Sequence, residues 1–132
     1  MGRRASSGPT ESELEILQVL WGLGRATVRQ VNDSLNRTRP TGYTTTLKLL
    51  QIMLDKKRVK RDESRWPHVY RATVSQETTQ RRLVDELLDR AFNGSARKLV
   101  LQALQTTDIP QEEIQRVGEL LDELERGSDE SE

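Results

Sequence analysis

Apolar residues repeat at intervals of three and four positions in three short stretches near the start of the chain. Such intervals bring side chains onto one face of an α-helix. The repeating positions are Leu14, Ile16, Leu17, Leu20, Trp21 and Leu23, then Val28, Val31 and Leu35, then Leu47, Leu50 and Leu54. The pattern therefore predicts three amphipathic helices, each with one buried face.

Two threonines indicate where the first two of these helices begin. Thr10 and Glu13 have the spacing of a capping box, and so do Thr27 and Gln30. Two glycines close the first helix, and only a short turn separates it from the second. Two helices joined by a tight glycine-containing turn are typical of a helix-turn-helix.

A basic hairpin follows the third helix, which we place at about residues 43–57. Residues 58–62 are basic and alternate in polarity, and after a turn a second strand is predicted at 66–71. Three helices followed by a hairpin is the order of a winged helix-turn-helix. We therefore predict a mainly α fold with a small β-hairpin, in which residues 10–74 form a winged helix-turn-helix domain.

The second half of the chain predicts three further amphipathic helices over residues 75–126. Each has one apolar stripe, and the stripes comprise Leu83, Leu87, Leu88 and Phe92, then Leu99, Val100 and Leu104, then Ile114, Val117, Leu120, Leu121 and Leu124. Residues 1–9 and the acidic tail at 127–132 are predicted to be disordered.

Composition and charge indicate how the two halves are used. Hydrophobic residues make up 33% of the chain and aromatic residues 4%, which is little core material for a chain of this length. We therefore expect residues 75–126 to complete their core in a homodimer. Residues 1–72 hold 14 Lys and Arg against 7 Asp and Glu, and residues 73–132 hold the reverse. The basic half suits a polyanion such as DNA.

The third helix carries the candidate groups for reading DNA bases. The hydroxyls of Thr44, Thr45 and Thr46 crowd its first turn, and Lys48 and Gln51 follow one and two turns later. Helix capping is the alternative reading of the threonines. One threonine is enough for a cap, however, and three in succession lower helix propensity, so we favour contact with DNA.

Four cations of the hairpin, Arg58, Lys60, Arg61 and Arg65, are predicted to bind the phosphate backbone. A charged strand edge that deters pairing with other strands is the alternative. Their position directly after a helix-turn-helix favours phosphate binding.

The residues that most enzymes and metal sites need are missing. The chain has no cysteine and one histidine, His68, which we interpret as a packed strand residue. A disulfide is excluded, and a zinc site would lack its usual ligands. We therefore predict no enzymatic activity and no cofactor. No apolar run approaches the ~20 residues that cross a membrane, so we expect a cytoplasmic protein.

Several short motifs, taken in order, resemble the penicillinase-repressor family of transcriptional regulators. They cover about residues 10–125 and read ELEILQVLW at 13–21, TVRQV at 27–31, GYTTTL at 42–47, HVYR at 68–71, FNGS at 92–95, LVL at 99–101 and QEEI at 111–114.

The resemblance implies a dimeric repressor that binds a palindromic operator in double-stranded DNA. It implies that the start of the third helix and the wing contact DNA. On this helix the resemblance adds Tyr43 to the three threonines and Lys48. It also implies release by proteolysis in the dimerisation region, triggered by a membrane sensor protease. No residue pair at 101–103 matches a cleavage position of the family. A winged-helix adapter that docks another protein is the alternative function.

The chain departs from the family pattern in three places. Copper-responsive members carry C-terminal cysteines and this chain has none, so copper sensing is not expected. The family often has glycine where the third helix ends, whereas Lys57 and Arg58 stand there in this chain. A left-handed helix cap at this point would cost roughly 1 kcal/mol relative to glycine. The tip of the wing holds Trp66 and Pro67 instead of a plainer turn, which alters its reach.

Overall fold

The computed structural model describes residues 8–130, with side chains as far as residue 127. The chain forms two compact units, of which the first ends at Asp85 and the second begins at Glu86. The elements in order are α1 (Glu11–Leu23), α2 (Val28–Leu35), α3 (Tyr43–Asp55), β1 (Val59–Asp62), β2 (Val69–Ala72), α4 (Gln76–Ala91), α5 (Ala96–Thr106) and α6 (Gln111–Glu130). The predicted mainly α fold is confirmed, and the residues described contain one antiparallel hairpin.

Both predicted capping boxes are present. The amide of Glu13 donates to the Thr10 hydroxyl at 3.1 Å, and the Thr10 amide donates to the Glu13 carboxylate at 3.1 Å. At the start of α2 the Gln30 amide donates to the Thr27 hydroxyl at 3.2 Å, and the Thr27 amide donates back to the Gln30 side chain at 2.9 Å. Each box satisfies amides that a helix start otherwise leaves without partners.

The core of the first unit joins the three predicted helices to the hairpin. Its buried apolar residues are Ile16, Leu17, Leu20, Ala26, Val28, Val31, Leu50, Met53, Val59 and Tyr70. Of the two apolar residues beside the predicted face of α1, Ile16 is buried and Leu23 is 55% exposed at the end of the helix. Met53 and Tyr70 enter the core without a signal from the sequence pattern, since the faces they occupy depend on how α3 meets the hairpin.

The hairpin pairs Val59 with Ala72, and a bridge links Ala26 to Tyr70 on its other side. The amides of Ala26 and Tyr70 donate to each other's carbonyls at 2.9 and 2.8 Å. The second strand begins at Val69, later than the predicted start at residue 66. Pro67 has no amide hydrogen to give to a strand, and the peptide bond that precedes it is cis.

A buried carboxylate joins the start of α1 to the end of α3. Glu13 is 2% exposed, and it receives the Lys56 ammonium at 2.8 Å and the Arg58 guanidinium at 3.4 Å. Burial raises the pKa of Glu13. Hydrogen bonds from Lys56 and the Thr10 amide, with the charges of Lys56 and Arg58, outweigh burial and hold the pKa below its ordinary value of 4.5.

The chain leaves α3 through a left-handed residue that is not glycine. Lys57 has φ = 65°, and the Arg58 amide donates to the Met53 carbonyl at 2.8 Å while the Lys57 amide donates to Leu54 at 3.0 Å. These two bonds form a Schellman motif, in which glycine is the usual left-handed residue. The left-handed cap considered for Lys57 is therefore present.

Ordered structure begins and ends at residues different from those that the sequence predicts. Gly8 is buried and its carbonyl accepts from the Arg58 guanidinium at 3.3 Å, so packing begins inside the segment predicted to be a disordered leader. The rest of that leader, residues 1–7, lies outside the described residues. At the other end α6 continues to Glu130, beyond the start of the predicted acidic tail at 127, while residues 131–132 are not described.

The C-terminal elements are three helices, as the pattern predicts. Among the side chains described in α5 none is buried, and α4 buries Thr79 alone. Over residues 8–130, no helix is both long and apolar enough to cross a membrane.

Replacing Lys57 with glycine is expected to stabilise the protein by about 1 kcal/mol, because glycine adopts the left-handed cap without the Cβ penalty. Urea unfolding followed by tryptophan emission measures the change, since both tryptophans lie in the first unit. Lys57→Ala is the control that removes the charge but keeps Cβ, and it should give no gain. An equal gain from alanine would contradict the backbone explanation.

Glu13→Gln is expected to lower the free energy of unfolding at neutral pH by on the order of 2 kcal/mol, because two cations lose their buried partner. The folded-state pKa of Glu13 is lowered, so its contribution is complete above about pH 4.5 and is lost as the pH falls through the folded-state pKa. The two proteins should therefore converge in acid.

Unfolding curves measured from pH 7 down to pH 3 test this convergence. Glu15→Gln is a control on the same helix, because Glu15 forms a more exposed ion pair with Arg39 at 2.5 Å. A constant difference between wild type and Glu13→Gln at every pH would show that ionisation of Glu13 contributes nothing.

Candidate nucleic-acid interface

One face of α3 is polar and exposed along its whole length. Thr44, Lys48, Gln51 and Asp55 follow each other at helical spacing, and all four are exposed. Thr45 is exposed beside them, and Tyr43 is 45% exposed at the first position. Five of the six predicted contacts on this helix therefore reach the surface.

Thr46 is the sixth, and its predicted contact with DNA is wrong. Its side chain is fully buried, and its hydroxyl accepts a hydrogen bond from the side-chain amide of Asn32 at 2.9 Å. The same amide donates to the Thr41 carbonyl at 2.9 Å. Thr46 therefore attaches the start of α3 to α2 and takes no place on the exposed face.

The threonines of α3 do not cap the helix. Gly42 is the N-cap, and no side chain accepts from the first amides of α3. The amides of Tyr43, Thr44 and Thr45 are consequently available to an anion at the positive end of the helix dipole. This removes the capping alternative for Thr44 and Thr45.

The four predicted cations of the wing divide into two pairs. Lys60 and Arg65 are exposed. Arg58 is instead half-buried against Glu13, which leaves it less available to phosphate than the other two. Arg61 donates through Nε to Glu63 at 2.8 Å and through Nη1 to the Tyr70 hydroxyl at 3.5 Å, and the Glu63 carboxylate offsets its charge.

Two further cations lie beside the wing. Arg71, near the end of the hairpin, is predicted with the other wing cations to bind phosphate, whereas no sequence pattern indicates Arg25. Arg71 lies directly opposite Lys60 in the hairpin register, and with Arg25 these two line a cavity of 280 Å³. Like charges opposite each other destabilise a sheet in isolation. An anion at this face would offset that repulsion.

A larger groove of 680 Å³ separates α3 from the tip of the wing. Tyr43 and Gln51 line it from α3, Arg29 lines it from α2, and Trp66 and His68 line it from the wing. The Arg29 guanidinium lies 5.5 Å from the centre of the Tyr43 ring, at the distance of a cation–π contact. Arg29 was missed because only the packing of α2 on α3 brings it to this groove.

The apolar residues predicted for dimerisation lie in a different part of the chain, and none of the twelve is buried. Leu87, Leu120, Leu121 and Leu124 are exposed, and the other eight are half-buried, namely Leu83, Leu88, Phe92, Leu99, Val100, Leu104, Ile114 and Val117. Within the second unit, α5 and α6 form an apolar groove of 580 Å³. The Arg97 and Glu125 side chains approach to 3.7 Å at its edge.

Valine substitutions at Thr45 and Thr46 compare the stability contribution of an exposed hydroxyl with that of a buried one. Thr46→Val should lower the free energy of unfolding by about 1–2 kcal/mol, because the Asn32 amide loses a buried acceptor. Thr45→Val makes the same chemical change on the surface and should shift stability by less than about 0.5 kcal/mol. Urea unfolding measures both, and equal losses would contradict the assigned positions.

The chain is similar to one protein-family model and to solved structures. The model of the penicillinase repressor family matches residues 9–123. One solved structure, described as a MarR family transcriptional regulator from Silicibacter pomeroyi DSS, is 21% identical with a TM-score of 0.43 and covers 88% of this chain and 68% of its own. A search of curated proteins finds no significant match. The chain belongs to the penicillinase repressor family, whose members are DNA-binding transcriptional regulators and not enzymes.

Proposed function

We propose that the protein is a homodimeric repressor in which residues 10–74 read a palindromic operator and residues 75–126 hold two chains together. The observation that carries the first part is the exposed stripe of α3. Its residues Thr44, Lys48 and Gln51, with Thr45 beside them, carry side chains of the kinds that hydrogen-bond base edges in the major groove. A chain with this role works where the DNA is, in the cytoplasm.

The wing supports the same proposal through charge. Lys60, Arg65 and Arg71 are exposed on an element that follows α3 directly. Cations beside a base-reading helix bind phosphates and fix its register on the duplex. Because the second half of the chain is acidic, phosphate attraction concentrates on the first half.

The uncovered apolar residues of the second unit support the dimer. Leucines 120, 121 and 124 are 58%, 40% and 64% exposed, although each belongs to a continuous stripe of α6. Contiguous apolar surface of this kind marks an interface. In a twofold dimer, a rotation relates the two copies of α3, so the two half-sites of the operator are related by the same symmetry and form a palindrome. The half-sites lie one or more helical turns apart.

Proteolytic release, downstream of a membrane sensor protease, completes the proposal. Residues 101–103 are exposed but lie inside α5, so cleavage there requires this helix to open first. Mass spectrometry would detect the cut by comparing the chain from cells in which the repressed genes are silent with the chain from cells in which they are active. An intact chain in both states would contradict proteolytic release and indicate that the repressor leaves DNA by another mechanism.

Fluorescence anisotropy tests the repressor directly. The intact protein should bind a duplex from upstream of its own gene, or one selected from random DNA, more tightly than a scrambled duplex. Lys48→Ala should weaken binding to the preferred duplex by about 1–3 kcal/mol and change binding to the scrambled one little, because Lys48 contacts bases. An equal loss on both would assign Lys48 to phosphate.

Lys60→Ala is the matched control on the wing. It should weaken binding to both duplexes alike and reduce the slope of log K against log salt by about one, because one phosphate contact is lost. A loss confined to the preferred duplex would instead place Lys60 on the bases.

Sedimentation tests the dimer. The wild type at micromolar concentration should have twice the chain mass of 15.1 kDa. Leu124→Asp should give a monomer, because a carboxylate in the apolar groove of α5 and α6 loses its hydration on association. Leu23→Asp is the control, since Leu23 is similarly exposed but lies in the first unit. A dimer that persists in Leu124→Asp would place the interface elsewhere.

A further inference from the structure

The most exposed large apolar side chain in the described part of the chain is Trp66, at the tip of the wing. Its side chain is 82% exposed, whereas the next most exposed, Leu124, is 64% exposed. Burying a tryptophan releases a large apolar area from water, so leaving one in solvent forgoes stabilisation that the fold could use. The position therefore invites a functional explanation.

The His68 ring contacts the indole, and hydrogen bonds brace the turn that precedes it. The His68 ring meets it edge-on, with ring centres 4.9 Å apart. On the preceding side, Ser64 donates to the Asp62 carboxylate through its amide at 2.9 Å and through its hydroxyl at 2.7 Å. A ring presented by a braced turn loses less freedom on binding than one on a loose loop.

The surroundings of Trp66 suit a polyanion better than an apolar protein surface. Arg65 precedes it and is exposed, while Lys60 and Arg71 are exposed on the strands that carry the tip. A protein-docking hot spot lies within other apolar contacts that exclude water. Here the exposed neighbours are charged. The cations Lys60, Arg65 and Arg71 outnumber the carboxylates of Asp62 and Glu63, and Glu63 is already paired with Arg61, so an anionic partner with apolar parts of its own fits better.

We propose that Trp66 is a DNA-contact residue whose indole packs on deoxyribose at the minor-groove edge. The inference rests on the proposed repressor function. Trp66 and His68 line one side of the 680 Å³ groove, and Tyr43 and Gln51 of α3 line the other. With α3 in the major groove, the bordering DNA strand runs through this groove and brings its sugars against the wing tip. Apolar side chains of other proteins contact the minor groove by inserting between base steps, which shows that this groove accepts apolar groups.

The salt dependence of DNA binding distinguishes a contact made by Trp66 from contacts made by the cations around it. An indole carries no charge, so it displaces no counterion when it binds. Trp66 therefore adds affinity without adding to the salt dependence. Arg65, one residue earlier, adds to both.

Acrylamide quenching measures the contact in the full chain. The Trp21→Phe variant leaves Trp66 as the single tryptophan. Acrylamide is neutral, so the charge of DNA does not repel it. Saturation with the preferred duplex should lower the quenching constant of Trp66 several-fold. Anisotropy measured in the same sample reports how much of the duplex is bound. An unchanged quenching constant while the duplex is bound would overturn the proposal and leave the repressor function intact.

Affinity provides the second measurement. Trp66→Ala should weaken binding about tenfold while the salt slope stays that of the wild type. Leu23→Ala, which removes another exposed apolar side chain of the first unit, should stay within about twofold. Wild-type affinity in Trp66→Ala would overturn the contact. Failure of the wild type to bind any duplex would overturn the repressor function, and the contact with it.

Discussion

The orientation of α3 depends on the side-chain amide of Asn32. This amide is buried, and its hydrogens reach the Thr41 carbonyl and the Thr46 hydroxyl, both at 2.9 Å. An amide buried without these acceptors would cost more than the hydrogen bonds contribute, so few other placements of α3 are tolerated. With Thr46 turned inward to meet Asn32, helical geometry turns Thr44 and Thr45 outward. A polar contact inside the core thereby decides which hydroxyls of this turn are exposed.

The opposite end of α3 is held by charge instead of by an amide. Glu13 collects Lys56 and Arg58 from the chain that leaves the helix, and Lys57 makes the turn between them in a left-handed conformation. The hairpin then returns to the core through the bridge between Ala26 and Tyr70. A helix held at both ends, with the wing joined to the same core, keeps its outward groups in fixed positions, as a reading surface requires.

Much of this architecture was readable in the sequence because it follows from local rules. The capping boxes at Thr10 and Thr27 depend on residues three apart, and the helix faces depend on a period of 3.6. The apolar stripes beyond residue 75 were equally readable. Local patterns failed where residues far apart in the chain meet, as when Arg58 meets Glu13 and when Arg29 meets Tyr43.

The sequence by itself determined the order of the elements, the split of charge between the halves and the polar stripe on α3. The tertiary structure alone decided which of these groups face outward. Thr44, Thr45 and Thr46 are identical in chemistry and adjacent in the chain, yet the partner at Asn32 buries the third. Lys60 and Arg58 are both cations predicted for the wing, yet a carboxylate on α1 holds Arg58 half-buried while Lys60 is exposed. The physical reason is that hydrogen bonds and ion pairs depend on distance in space, and the sequence states only distance along the chain.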